Sequence, residues 1–471
     1  MLRPDLDRAN TPGDDLHAVV ARGWAALRHR LDASDRHLPS FVSREVRAFL
    51  RCGDPAHGFA WLRCPAGHHH RLVPFSCKGR GFCPSCGGRR MATRALAWTD
   101  RLLPRVAVRQ LVLTVPWPRR WLFARRPVLA RAVLRCALRV VTRWLRARGG
   151  PATRTGAPGS VTVIQRFGSA LNLNLHFHVL LLDGLFVAGP SGAPPRFQRT
   201  RRWTQDDVDL LVVDIATRCE ALLARRGHGP EAQADDAASD GDDALPLIQS
   251  ASVAGRSAVR DRPAARRVQL RGGRPHRLPP LCASAGGYSM HAGVVIRARD
   301  RAGLQRLAGY IARPPLVKSR LTVLPDGRVR LGLKRAWSDG TTAHVLTAEE
   351  LVERLVALVP PPRANQVLYA GVLASRHRWH RAVRPRPPRR PPAPPGVGMR
   401  LTKAPRGRSR HVPWSTLLWR TFDVVGAACP VCGRVMALRA VVRGPETGRV
   451  LAGLERAARG PPVRDVGAAG A

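Results

Sequence analysis

Phenolic side chains are nearly missing from this 471-residue chain: tyrosine occurs only as Tyr288, Tyr310 and Tyr369. Any chemistry that needs a phenol has three candidates. Lysine is almost as scarce, at Lys78, Lys318, Lys334 and Lys403, and acidic residues number 32 against 79 basic ones. The formal net charge of +47 is therefore almost all arginine. It calls for a polyanionic partner, with nucleic acid ahead of an anionic membrane. No uncharged apolar run reaches the roughly 18 residues of a membrane-spanning helix. The opening MLRPDLDRAN has no apolar signal core. The expectation is a cytoplasmic, nucleoid-associated protein with no membrane partner. In that reducing compartment the 10 cysteines read as metal ligands or buried thiols rather than disulfides.

What is present centres on residues 172–184, NLNLHFHVLLLDG. The run has strand length and ends on Asp183-Gly184, a turn pair. Alternation puts Asn172, Asn174, His176 and His178 on one face and Leu175, Phe177, Val179 and Leu181 on the other. Leu180 and Leu182 make the far end of the histidine face apolar, so the strand reads as buried on both sides. Two imidazoles at the polar end of a core strand suit a divalent metal. Two hydrogen-bonded histidines in a sheet are the plainer alternative.

Upstream, 15–50 reads as two helices and 52–90 as a cysteine-rich module. It holds Cys52, His57, Cys64, His68, His69, His70, Cys77, Cys83 and Cys86. Cys83-Pro-Ser-Cys86-Gly-Gly is a zinc-knuckle turn: two intervening residues let both thiolates reach one ion. Cys64 with His68 or Cys77 would complete a structural zinc site, and Cys52 and His57 are candidates for a second. Downstream, 108–116 and 160–168 read as strands, the latter pairing with the histidine strand as an antiparallel hairpin. Segments 119–148 and 205–226 read as helices. Residues 227–288, with Asp235, Asp236, Asp240, Asp242 and Asp243, read as a flexible insertion. A strand at 289–298, a helix at 300–313 stopped by Pro314-Pro315, a hairpin at 320–335, a helix at 347–358 and a strand at 365–374 follow. The implied segments are 1–50 (helices), 51–104 (zinc module), 105–380 (main domain), 381–410 (Pro/Arg linker) and 411–471 (tail). Cys429-Pro-Val-Cys432-Gly in the tail is half a knuckle. It needs partners such as His411 or another chain.

FSCKGRGFCPSCGGRRM (75–91), VTVIQRFGSALNLNLHFHVLLLDG (161–184), LAGYIARPPL (307–316), KRAWSDGTT (334–342) and ALVPPPR (357–363) occur in this order. The ordered set resembles the rolling-circle transposases of insertion sequence ninety-one and the related common-region elements, within the HUH endonucleases. The resemblance implies an α+β fold: an N-terminal zinc-binding module followed by an antiparallel-sheet nuclease domain. It implies that His176 and His178 hold Mg²⁺ or Mn²⁺ and that Tyr310 is the nucleophile. The position four before Tyr310, a second tyrosine in the founding branch, is Arg306 here, as in a single-tyrosine branch. The implied partner is single-stranded DNA at transposon ends and target, with self-association allowed.

The residues agree with that reading. Tyr310 shares a helix face with Arg306 and Arg313, whose guanidiniums would favour phenolate and bind DNA phosphate. Leu304, Leu307 and Ile311 form the helix's apolar stripe. Gln165, on the neighbouring strand, and His291 are candidates for a third metal ligand. The rival readings are a non-catalytic zinc-finger regulator and a decayed transposase that binds DNA without cutting it.

Overall fold

Apolar residues on both faces make Leu173–Leu182 an interior strand, and the computed structural model places it inside a sheet of six. The structure describes residues 5–6, 15–229, 241–258, 266–269, 279–385 and 428–459. Val108–Thr114 and Gly159–Phe167 flank the histidine strand, both antiparallel to it. Tyr288–Ile296 and then Cys282–Ala285 extend the sheet beyond the first, and Val367–Gly371 closes it beyond the second. Antiparallel pairing throughout, with helices on the faces, gives the expected α+β class.

The two faces have different covers. Leu175, Phe177, Val179 and Leu181 pack with Leu111, Leu113 and Met290 beneath the helices Pro127–Arg148 and Gln205–Ala224. Leu180 and Leu182, on the histidine face, pack with Val108, Val161 and Val163. Over them lie Ala95 and Trp98 of helix Pro84–Arg101 and Leu304, Ala308 and Ile311 of helix Arg301–Ala312. That last helix starts where the Asp300 carboxylate accepts from Gly303 N at 2.7 Å. It ends at Arg313, extended because Pro314 follows.

Two sequence expectations change. Asp183-Gly184 does not reverse the chain. It redirects the strand into Gly184–Val187, which pairs with Arg196–Arg199. Asp183 is drawn inward by a bidentate pair with Arg109, at 2.8 and 3.1 Å. A Cβ on Gly184 would stand 2.3 Å from the Gln198 carbonyl oxygen. The stretch 227–288 is not one flexible insertion. Within it, helix Leu245–Ala254 buries Leu245, Ile248 and Val253. Arg266–Gln269 pairs with Thr341–Leu346 in a second sheet, which also holds Val329–Gly332 and Leu321–Val323. The acidic, glycine-rich flanks mask the apolar LPLI start of that helix. Asp235, Asp236 and Asp240 lie outside the described residues. Asp242 and Asp243 are among the described residues, with the backbone of Asp243 in an isolated parallel β-bridge to that of His37.

Chain contacts divide the molecule into two units. One comprises 19–46 and 80–388, with the sheets just described. The other comprises 1–18, 47–79 and 389–471. In it Asp5–Leu6, His70–Pro74, Phe59–Arg63 and Ala437–Val442 form a four-stranded sheet. Phe59, Leu72 and Val442 make its core, with Val450, Leu451 and Leu454 of helix Glu446–Arg459 packed against them. The described part of the tail is thus a strand and a helix of the cysteine-rich unit rather than a separate segment. Residues 386–410 of the linker, and His411, lie outside the described residues. No described helix is long and apolar enough to cross a membrane.

Arg109 fixes three strands at once. It pairs with Asp183, donates to the Ala292 carbonyl at 2.7 Å and lies over Trp203 at 4.8 Å. Both partners of the pair are buried. Arg109→Met strands the carboxylate and should cost about 3–5 kcal/mol in chemical denaturation. Arg109→Met/Asp183→Asn should cost less than the single change. A single variant as stable as wild type would show the pair to be unimportant.

Candidate active site and metal centres

Strand alternation brings His176 and His178 together, with their Nε2 atoms 3.1 Å apart. Each imidazole is oriented from behind. His176 Nδ1 lies 2.9 Å from the Asn174 carbonyl, which can only accept, so Nδ1 carries the proton and Nε2 is bare. His178 Nδ1 lies 2.9 Å from the Gln110 amide nitrogen. With that amide donating, His178 carries its proton on Nε2 and donates it to His176. Turning the Gln110 amide over puts its oxygen on Nδ1, moves the proton there and leaves both Nε2 lone pairs facing one point. Burial holds His176 down to about 4, opposed by the Asn174 carbonyl and aided by the charges of Arg313 and Arg120. Burial, then His176 and Arg313, holds His178 down to about 2. Both rings are neutral at physiological pH, the form that ligates a metal.

The donor set fits a hard divalent cation. Adjacent octahedral ligands at about 2.1 Å from an ion lie about 3 Å apart, close to the Nε2 separation. Gln165, across the ladder from His176, donates its amide nitrogen to the Ile311 carbonyl at 2.6 Å. Its buried Oε1 has no hydrogen-bond partner among the described residues, and neither does Asn174 Oδ1 on the histidine face. His291 occupies the same register row as His178, two strands away through Val112. That is about 10 Å at ordinary strand spacing, and it does not join the pair.

Tyr310 meets this face from its helix. Its ring stands edge-on to His178, with centroids 6.1 Å apart. Arg313 lies over the ring at 4.1 Å and Lys334 Nζ at 5.1 Å. Partial burial raises the phenol's pKa. A hydrogen bond from Arg313 and the charges of Arg313, Lys334 and Arg335 outweigh it, so the pKa falls below the ordinary value. Arg313 Nη1 is buried with no hydrogen-bond partner among the described residues, a donor without an acceptor. The other tyrosines are engaged elsewhere. Tyr288 is fully buried and donates to Glu220 at 2.7 Å. Tyr369 is 46% exposed, as Tyr310 is, but its oxygen accepts from Trp98 Nε1 at 3.1 Å. Arg306 is exposed and does not figure among the charges acting on Tyr310.

Sequence reasoning missed Gln110 and the roles of Lys334 and Arg335. Gln110 carried a signal, a polar residue inside the apolar strand VRQLVLT. Lys334 is one of only four lysines. Neither signal says which histidine or tyrosine it meets.

Of the ligands proposed for zinc, Cys64, His68, Cys429 and Cys432 come together within the cysteine-rich unit, with ligand atoms all within 4.8 Å of one another. In the same unit Cys77 N donates to the Cys52 sulfur at 3.3 Å. Cys83 opens helix Pro84–Arg101, its sulfur accepting from Cys86 N. His57 lies 3.5 Å from Asp54 and is not in the group with Cys64. Among the described residues no cysteine is in a disulfide. Four such donors suit tetrahedral structural zinc.

Two family models match the chain. Residues 159–381, which carry the histidine pair and Tyr310, match the family described as "Putative transposase". Residues 19–115 match "Transposase zinc-binding domain". No curated protein and no solved structure matches it.

The cations around Tyr310 have a measurable consequence. With ring-labelled tyrosine followed by NMR, Tyr310 should titrate below the ordinary value of about 10. Tyr288 should stay protonated throughout, because burial and its bond to Glu220 raise it. Lys334→Ala should move the Tyr310 midpoint upward. An unmoved midpoint would remove Lys334 from the site.

Proposed function

The chain belongs to the transposases of the insertion sequence ninety-one type, and from that premise we propose that it nicks and rejoins single-stranded DNA through a 5′-phosphotyrosine at Tyr310. The observation that carries this is one juxtaposition. Two neutral imidazoles with converging Nε2 atoms face a tyrosine whose ring lies beneath an arginine and a lysine. On this reading the domain is an HUH-type nuclease working by the rolling-circle route.

Mg²⁺ or Mn²⁺ held by His176 and His178, with Gln165 and Asn174 as oxygen donors in reach of the same face, would supply Lewis-acid polarisation of the phosphate. The chain's own residues do the rest. Arg313 and Lys334 lower the cost of the phenolate, and the phenol proton passes to water. Tyr310 Oη attacks phosphorus; the Oη–P bond forms as the P–O3′ bond breaks. The 3′ oxygen leaves with the electron pair and takes up a proton. The unpartnered Nη1 of Arg313 holds a phosphate oxygen. The phosphodiester's energy stays in the protein–DNA bond, so another 3′-hydroxyl reverses the step and joins strands. With Arg306 at the second-tyrosine position, each chain holds one strand at a time.

Charge argues for this order of events. The groups acting on His176, His178 and Tyr310 are arginine, lysine and histidine, with no carboxylate among them. Such a site attracts a phosphodiester and gains a cation best with the phosphate in place. A DNA-binding regulator would leave the histidine pair and Tyr310 without work.

The test is trapping of a covalent adduct on labelled single-stranded DNA from the element's ends, with Mn²⁺ or Mg²⁺. Tyr310→Phe should abolish the adduct, by about a thousand-fold or more, while keeping DNA affinity and zinc content. His176→Ala and His178→Ala should each greatly reduce it. Tyr288→Phe and Tyr369→Phe should still form it. Adduct mapped to another residue sinks the mechanism. Binding with no adduct in the wild type favours the regulator or a decayed enzyme.

A further inference from the structure

Cys429 and Cys432 lie outside both matched segments, 19–115 and 159–381, yet they meet the cysteine-rich unit on its own ground. Two cysteine turns, each closed by a glycine N–H, face each other. In Cys64-Pro-Ala-Gly-His68, Gly67 N donates to the Cys64 carbonyl at 2.9 Å, with Gly67 at φ +79°. In Cys429-Pro-Val-Cys432-Gly, Gly433 N donates to the Cys429 carbonyl at 2.8 Å, with Gly433 at φ +70°. The left-handed glycine in each lets the backbone curl around one point. Cys64 and Cys432 sulfurs stand 3.6 Å apart, close to the spacing of thiolates on one tetrahedral zinc at about 2.3 Å. Cys64 and Cys429 are buried. His68 Nδ1 is buried without a partner among the described residues.

We propose that Cys64, His68, Cys429 and Cys432 hold a second structural zinc, which fastens the C-terminal segment to the cysteine-rich unit of the same chain. Its place in the sheet says what it does. Strand Phe59–Arg63 ends one residue before Cys64, and Ala437 pairs with Arg63 where Ala437–Val442 begins. The ion clamps the open end of that ladder. Its ligands are 368 residues apart at the widest, and a link closing so long a loop restricts the unfolded chain strongly. The cysteine-rich unit is therefore incomplete without the tail.

Elemental analysis of the reduced chain should find two zinc ions, one at this group and one at the Cys83-Cys86 knuckle. Cys429→Ser/Cys432→Ser should lose one ion, and Cys83→Ser/Cys86→Ser should lose the other. Cys432→His, which keeps a ligand, should retain both. Mixing the Cys64→Ser chain with the Cys429→Ser/Cys432→Ser chain should not restore the lost ion. Full zinc in Cys429→Ser/Cys432→Ser, or restoration on mixing, overturns the proposal.

A separate observation concerns the far end of the tyrosine helix. A groove of about 740 Å³ is lined by Arg105, Arg199, Arg297 and Arg299, with Phe197 and Val295 among its apolar residues. All four arginines are exposed, and none makes an ion pair among the described residues. Phe197 is half-buried, its ring 5.2 Å from Phe186. The one carboxylate present, Asp300, accepts from Gly303 N as the helix cap. Guanidiniums around an aromatic platform are the chemistry that tracks a single strand. Tyr310 lies ten residues along the helix, about 15 Å away. We infer that this groove holds a flanking stretch of the single-stranded DNA whose phosphate Tyr310 attacks; the inference rests on that reading of Tyr310.

Binding of a labelled oligothymidylate would be measured against salt in Tyr310→Phe, where cleavage cannot intervene. Adding Arg297→Gln/Arg299→Gln should weaken binding several-fold and reduce the log–log salt slope by about 1.4, two phosphates at about 0.7 each. An unchanged affinity and slope overturns the groove. Absence of a covalent adduct in the wild type would instead overturn the reading of Tyr310, so the two failures are separable.

Discussion

Burial of Leu173–Leu182 on both faces is the constraint on which the candidate site depends. The face carrying Leu175 and Phe177 is sealed by helices. The other carries His176 and His178 at one end and Leu180 and Leu182 at the other. Leu180 and Leu182 share a core with Leu304, Ala308 and Ile311, the apolar stripe of the tyrosine helix. Hydrophobic burial is non-directional, but period two in the strand and 3.6 in the helix convert it into a registered placement. Seating the stripe on the leucine end carries Tyr310, at the helix's last turn, to the histidine end. Gln165 ties the arrangement by donating its amide nitrogen to the Ile311 carbonyl.

The arginine surplus has two uses that composition cannot separate. Some guanidiniums build the scaffold. Arg166 is buried and donates to the carbonyls of Ala124 and Ala357 at the ends of two helices, and burial lowers it to about 10. Arg354 donates to the Ala170 carbonyl. Arg119 pairs with Glu220, which also accepts from Tyr288. Others stand toward the histidine face or solvent with no acidic partner among the described residues. Arginine suits both tasks because it stays charged when buried and its planar fork satisfies several carbonyls at once.

Much of the candidate site was legible because it depends on local periodicity. The histidine strand, its hairpin partner, the tyrosine helix and the proline stop all follow from spacing and turn chemistry. Gln110 was not legible: a polar residue in an apolar strand shows that something buried needs it, not that the partner is 68 residues away. The Asp183-Gly184 pair misled because its local turn preference was overridden by a buried ion pair with Arg109. Helix Leu245–Ala254 was hidden by acidic, glycine-rich flanks whose composition outweighed ten apolar-patterned residues.

The sequence by itself determined the class of the protein: the transposase family, the α+β composition, the two alternating histidines and the cysteine knuckles. These depend on residue type and on neighbours a few positions away. Only the tertiary structure decided which parts meet. It brought Tyr310 to the histidines and Tyr369, equally exposed, to Trp98. It gave the tail's Cys429 and Cys432 partners far back in the chain, Cys64 and His68. Contacts between residues hundreds apart leave no periodic trace in a single sequence; they are selected by the packing of whole faces.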